Sequence, residues 1–240
     1  MIRSDKRTPN QIRPIESEQA LLNKADGSAK FTQNKSSVLA AVYGPVEVIP
    51  RKEKISKANI DVVFTPATGN SSYEDKEKEM LIRNALESVI ITSLHPRTQI
   101  SIIIQVYSDD GSIVSCAINA ACLALLDAGI ELNSLLGSIT LCYNHDGTVC
   151  LDPDTVEEEL AKGLAIYAFN NQTKLVMVNT TGVISEQQYD DGLRLARMSC
   201  ETVLAYIRLA VKNRIMGHSN DGNNDAGIEH QSKTVEPMES

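Results

Sequence analysis

Two places in this sequence carry side chains that could do chemistry. Asp109-Asp110-Gly111-Ser112 lies between an apolar run and an Ala- and Leu-rich one, and Glu157-Glu158-Glu159 follows the turn Asp152-Pro153-Asp154. Carboxylates set together offer oxygen ligands for a divalent cation or a general acid. The same residue types also do plainer work. Asp before Gly closes an Asx turn, and a run of Glu solvates a helix edge. Basic residues gather in one loop, where Arg51, Lys52, Lys54 and Lys57 stand against Glu47 and Glu53. That loop suits a phosphate backbone or bulk water. His95 precedes Pro96 and reads as a helix-end residue rather than a base, and His145 falls in a turn. The five cysteines show no C-x-x-C pair and no zinc-like spacing, so they read as core.

The totals restrict what such residues serve. The chain has 240 residues and a net charge of −8, so the whole protein is not biased toward nucleic acid, although a local basic patch is allowed. Trp is absent and aromatics are scarce, which argues against a base-stacking platform. No apolar run is long enough to span a membrane. With no signal-peptide pattern, the cysteines point to a reducing, intracellular compartment.

The elements that must position these residues follow from pattern. Gln99–Tyr107 is β-branched and apolar, a strand. Ser112–Ala128 has no Pro or Gly and is apolar almost all round, which predicts a central helix covered on several sides, with Ser112 as N-cap and Gly129 at C′. Before it, strands are expected over Arg13–Leu22, Ser28–Gln33, Ser36–Tyr43 (ended by Gly44-Pro45) and Asn59–Pro66. A helix with apolar residues at 81, 82, 85, 86, 89 and 90 is expected from Tyr73 to Leu94. After the central helix come strands at Leu135–Tyr143, Thr148–Leu151, Leu164–Phe169 and Lys174–Thr180, with a helical preference at Thr155–Ala161. A long helix runs from Ser185 to about Ile215, opened by the capping box Ser185–Gln188. The expected organisation is a flexible segment over 1–12, one α+β domain over 13–216 and a disordered tail over 217–240.

The landmarks Ala25–Ala29 (ADGSA), Ser37–Val48 (SVLAAVYGPVEV), Leu81–Glu87 (LIRNALE), His95–Thr98 (HPRT), Asp109–Gly129 and Leu151–Pro153 (LDP) occur in one order over residues 13–215. In this the chain resembles the RNase PH family, and within it the ring subunits of the eukaryotic RNA exosome. The resemblance implies the RNase PH fold (ribosomal protein S5 domain 2-like), layered sheets and helices with duplicated βαβ-type halves. It also implies assembly side by side into a six-membered ring. The implied partners are other RNase PH-like exosome ring subunits, S1/KH-type cap subunits and RNA, with no membrane, no cofactor and no metal. The implied location is the nucleus, nucleolus included, and the cytoplasm.

Active members of the family degrade RNA from its 3′ end by phosphorolysis, and the resemblance assigns their site residue by residue. The phosphate-binding G-G-T-R-T pattern falls on Gly111–Ser115, which places Ile113 and Val114 where Thr and Arg belong. The phosphate-facing Arg falls on Asn84 and a neighbouring Arg on Glu87. The two catalytic Asp positions fall on Glu158 and Leu164. Loss of cationic anchors and of one carboxylate implies a non-catalytic ring subunit. It would scaffold 3′–5′ RNA processing and degradation, rRNA processing and mRNA decay included, and line the RNA channel. RNA contact is expected at Arg51, Lys52, Lys54, Arg83 and Arg97. The alternative is an active nuclease working as a homodimer, phosphorolytic or metal-dependent and hydrolytic, and using Glu158.

Overall fold

The computed structural model describes residue 3 and residues 7–225, with side chains described as far as Met216. The first half builds a five-stranded sheet from β1 (Ile15–Gln19), β2 (Gly27–Gln33), β3 (Ser36–Glu47), β4 (Asn59–Thr65) and β5 (Thr98–Ser108), in the order β1-β2-β3-β5-β4. All pairs are antiparallel except β4 with β5. Those two parallel strands are joined through α1 (Tyr73–Val89), as a βαβ crossover requires. After α2 (Ile113–Asp127), the second half forms a four-stranded sheet from β6 (Leu136–Tyr143), β7 (Val149–Leu151), β8 (Gly163–Asn170) and β9 (Leu175–Gly182). Its order is β7-β6-β8-β9 and its pairs are antiparallel. The short helix α3 (Thr155–Leu160) links β7 to β8, and α4 (Glu186–Asp225) follows β9.

The Ala-rich helix α2 is the core, as its composition predicts, with every residue from Ile113 to Leu125 buried. One side packs on β2 and β3 and another on β6. Small residues permit this: a Cβ on Gly27 of β2 would stand 2.3 Å from the backbone N of Ala128. Of the polar residues of α2, Asp127 accepts the Ser28 N–H of β2 at 2.9 Å, and Ser115 and Asn119 turn to the second sheet. Ser115 Oγ lies 2.7 Å from Thr140 Oγ1. Asn119 donates to the Ser138 carbonyl at 3.0 Å and accepts from the Ser138 N–H at 2.8 Å. The Leu136 N–H donates to Cys122 Sγ at 3.5 Å. Gly137 and Tyr143, on the opposite side of β6 by strand alternation, meet Leu204 and Gly192 of α4. Further along α4, Tyr206 packs edge-on against Phe31 of β2.

Several element ends differ from expectation; β1, expected over Arg13–Leu22, is confined to Ile15–Gln19. β3 does not end at Gly44-Pro45 but passes through it to Glu47. A register shift between Tyr43 and Val46 takes up the Pro, which has no N–H to give a ladder, as a bulge. α1 stops at Val89, and Leu94 belongs to a separate 3₁₀ turn, Thr92–Leu94. There Ile90 leaves the helix to bridge Leu132, and the Ile91 N–H donates to the Glu131 carbonyl at 3.1 Å. Ser112 holds the N-cap position but is left-handed (φ 58°), and its hydroxyl donates to the Pro153 carbonyl at 3.0 Å instead of capping. α4 continues past Ile215 to Asp225, so the helix takes in Gly217–Asp225, where composition suggests a tail; residues 226–240 lie outside the described ones. Near the other end, Arg3 is buried and pairs with Glu157 at 3.0 Å, which ties the leading segment to α3.

Candidate functional site

Two turns meet at the N-terminus of α2, and one buried arginine holds them. Asp109 accepts from the Gly111 N–H at 3.1 Å, the Asx turn read from the sequence. Gly111, at φ +82°, lies against the second turn so closely that a Cβ would stand 2.6 Å from the Pro153 carbonyl oxygen. Arg13, at the approach to β1, donates to the carbonyls of Asp110 (2.7 Å) and Gly111 (3.1 Å) and to Asp152 Oδ1 (2.6 Å). Its own N–H donates to Asp152 Oδ2 at 2.9 Å. The Arg13 and Asp152 side chains are both 1% exposed, so this is a fully desolvated pair. Burial works against the Arg13 charge, but the Asp152 hydrogen bond and charge, with the charge of Asp110, hold the guanidinium above its ordinary pKa.

The second turn starts α3. Asp154 and Glu157 form a reciprocal capping box. Two residues set one apart from the solvated acidic run: Glu157 is buried against Arg3, and Glu158 turns toward α2. Glu158 Oε1 accepts the Ser112 N–H at 2.7 Å. Burial pushes its carboxyl up to about 6; the Ser112 bond pulls the other way, and the nearby Asp109 charge adds to the rise. Glu158 therefore occupies the place at a helix start where an outside anion would sit.

Around it lies a cleft of about 180 Å³ lined by Lys78, Asp109, Ser112, Ile113, Val114, Thr140, Glu158, Leu164, Ile166, Asn179 and Thr181. The structure thus brings together Ile113, Val114, Glu158 and Leu164, which the sequence places 51 residues apart from first to last (113 to 164). Asn84 is not with them; it is exposed on α1, outside the lining. The cation among the lining residues is Lys78, missed by sequence reasoning. It bonds Asp75 at 3.3 Å and sits 5.6 Å above the Phe64 ring, so its charge is already engaged. One signal for it is the capping box Ser72–Asp75, which fixes where α1 begins and which face Lys78 takes. No sequence signal marks Arg13, whose partners lie 23 to 139 positions away.

The expected RNA-contact residues converge elsewhere, on one end of the domain. Arg51 and Lys52 sit on the exposed 3₁₀ turn Pro50–Lys52. Glu87 of α1 pairs with Lys57 at 2.7 Å and Lys54 at 3.8 Å and lies in the field of Arg83; the Lys57 bond leads in holding its carboxyl below the ordinary range. Arg97, at φ 61°, pairs with Glu53 at 3.5 Å, and its N–H donates to the Lys54 carbonyl. Lys52 pairs with Asp61 at 3.3 Å. Each pair is exposed enough to exchange an acid for a phosphate at small cost. From Lys78 to Glu87 is about 14 Å along α1, so patch and cleft share one helix.

Residues 11–131 match the model of the 3′ exoribonuclease family RNase PH, domain 1. The chain belongs to the RNase PH family. Among RNase PH relatives, the exosome complex exonuclease RRP46 homolog of Arabidopsis thaliana is 38% identical over 191 residues, 80% of each chain. The exosome complex exonuclease RRP46 homolog of Oryza sativa is 35% identical over 232 residues, 90% of this chain and 98% of that one. The crystal structure of rice Rrp46 superposes with a TM-score of 0.82 at 38% identity, over 86% of this chain and 98% of that chain. A subunit of the Archaeoglobus fulgidus exosome with RNA bound to the active site matches with a TM-score of 0.73 at 17% identity, covering 85% and 92%, which shows the shared fold. The RNase PH fold expected from the landmarks is the fold found.

Proposed function

We propose that this chain is a non-catalytic ring subunit of an RNA exosome, and that it scaffolds 3′–5′ RNA processing and degradation while helping to line the RNA path. One observation carries the non-catalytic reading. The cleft at the start of α2 presents Ile113, Val114 and Leu164, its lysine is held by Asp75, and Glu158 takes the Ser112 N–H. Phosphorolysis needs a second anion in such a cleft beside the RNA, held by cations and free N–H groups. A resident carboxylate there repels it. The ring assignment draws on the relatives named as exosome components, which this chain matches over 80–98% of their length. Its partners on this reading are other RNase PH-like subunits, S1/KH-type cap subunits and RNA, in the nucleus, nucleolus included, and the cytoplasm. Exposed apolar residues suit subunit contacts, with Val63 and Ile103 on the outward side of the first sheet and Leu175 and Val178 on the edge strand β9.

The test is an activity assay on the purified full chain with single-stranded RNA, run with phosphate and separately with Mg²⁺. The expected result is no release of nucleoside diphosphates and no 3′ shortening. Phosphate-dependent diphosphate release would restore the phosphorolytic alternative. Mg²⁺-dependent shortening lost in Glu158→Gln would restore the hydrolytic one.

A further inference from the structure

Two cysteines face each other across the β6–β7 hairpin. Cys142 is in register with Cys150, between the pairs Leu141–Leu151 and Tyr143–Val149. The Asn144 N–H donates to the Thr148 carbonyl at 3.0 Å and the Asp152 N–H to the Thr140 carbonyl at 2.9 Å. Hydrogen-bonded pairs recur every second residue along an antiparallel ladder, so Cys142 and Cys150 form one too. Such a pair has a Cα spacing of about 5.5 Å, within the roughly 4.4–6.8 Å that a disulfide spans. Both thiols are free and nearly buried, Cys142 at 1% and Cys150 at 6% exposure.

Their surroundings are unequal. Asn144 Nδ2 donates to Cys150 Sγ at 3.4 Å. Cys142 offers its proton to Cys150, and the Arg3 guanidinium, itself paired to Glu157, adds positive charge. The Cys142 bond leads in drawing the Cys150 thiol down to about 6, and the same bond raises Cys142. The other three cysteines are ordinary core thiols. Burial pushes Cys122 up to about 11 and raises Cys116 and Cys200 as well.

We propose that Cys142 and Cys150 are a reversible redox pair that closes as a cross-strand disulfide when the protein meets a hydroperoxide. The Cys150 thiolate attacks one peroxide oxygen; the O–O bond breaks, and the departing hydroxide takes up a proton as water, leaving a sulfenic acid. The Cys142 sulfur attacks that sulfenic sulfur; the S–S bond forms, the S–O bond breaks, and the hydroxyl leaves as water with the Cys142 proton. The two thiols lose two electrons and the peroxide gains them. Opposed Cβ atoms on a sheet stand about 4.5–5.5 Å apart, and a disulfide asks for about 3.8 Å, so closure tightens the hairpin. Strained disulfides are the readily reduced ones, which makes the step reversible. The hairpin leads directly into Asp152 and α3, so closure tugs on the seat of Glu157 and Glu158.

The test is limited hydrogen peroxide on the reduced full-length chain, alkylation, and cleavage before aspartate, which cuts at Asp146 between the two cysteines. Peptides 127–145 and 146–151 should emerge joined, and dithiothreitol should separate them. Cys150 should react roughly tenfold faster than Cys122. In Cys142→Ser, a sulfenic acid on Cys150 should persist and take dimedone; in Cys150→Ser, Cys142 should stay unlabelled. If a variant does not fold, the wild-type mapping and rates alone decide. Oxidation of Cys150 to the sulfinic acid without the joined peptides, or equal rates at Cys122 and Cys150, would overturn the proposal.

Discussion

Asp152→Ala removes the carboxylate paired with Arg13. The pair is 2.6 Å long with both side chains 1% exposed, and the second carboxylate oxygen also takes the Arg13 N–H at 2.9 Å. Removing one partner of a buried pair costs about 3–5 kcal/mol, because a charge is left where water does not reach it. Arg13 keeps its bonds to the Asp110 and Gly111 carbonyls, so the lower end applies, about 3 kcal/mol. In a chain of this size each kcal/mol moves Tm by roughly 2–4 °C, so Tm should fall by about 6–12 °C. Arg13 stays charged at any working pH, because a guanidinium does not deprotonate in a protein, so the loss should be the same at pH 6 and pH 8. Thermal and urea unfolding followed by circular dichroism measure it. Arg13→Met combined with Asp152→Leu leaves no charge behind and should cost less than the two single changes summed, by about 1–3 kcal/mol. A loss in Asp152→Ala below about 1 kcal/mol, the range of surface pairs, would refute the desolvation argument.

Glu158→Gln tests the carboxylate in the cleft. Its folded pKa lies above the unfolded value, so its charge works against folding once pH rises through about 6, and that penalty fades as pH falls toward the unfolded pKa. The variant should be more stable than wild type above pH 7, by about 1 kcal/mol, with no difference near pH 4; a variant less stable at pH 7.5 would show that the Ser112 bond outweighs burial. Reversing charge at Arg51, Lys52 and Lys54 should weaken RNA binding by the assembled ring and flatten its salt dependence, since fewer counterions are released. Unchanged affinity and slope, measured by fluorescence anisotropy across a salt series, would leave that loop a solvated surface.

Where residues act through their neighbours in the chain, the sequence was readable. Composition alone marked α2 as buried, because an Ala–Leu–Cys run without Pro or Gly has no polar face to give to water. The Ser185–Gln188 box opens α4 as written. Ile113, Val114, Glu158 and Leu164 came into one cleft by family resemblance; no local pattern contains them. Arg13 was legible by neither route, since its role depends on two turns that only the fold brings together. Gly44-Pro45 misled because turn formers also make bulges, and only the facing strand β5 decides between them. Glu158 looked like part of a solvated run because three adjacent glutamates do not reveal which one faces inward.

The bonds from Asn119 and Cys122 to β6 have a bearing on solubility. β7 is three residues long and covers β6 only at Leu141–Tyr143. Beyond it, among the described residues, the same side of β6 has no strand beside it. The Asp152 N–H takes the Thr140 carbonyl, Asn119 takes both backbone groups of Ser138, and Cys122 takes the Leu136 N–H. An uncovered strand edge invites pairing with another chain and, from there, aggregation. Here side chains of a helix stand in for the strand that is missing, so the protection against edge-to-edge aggregation along β6 is written in the sequence of α2.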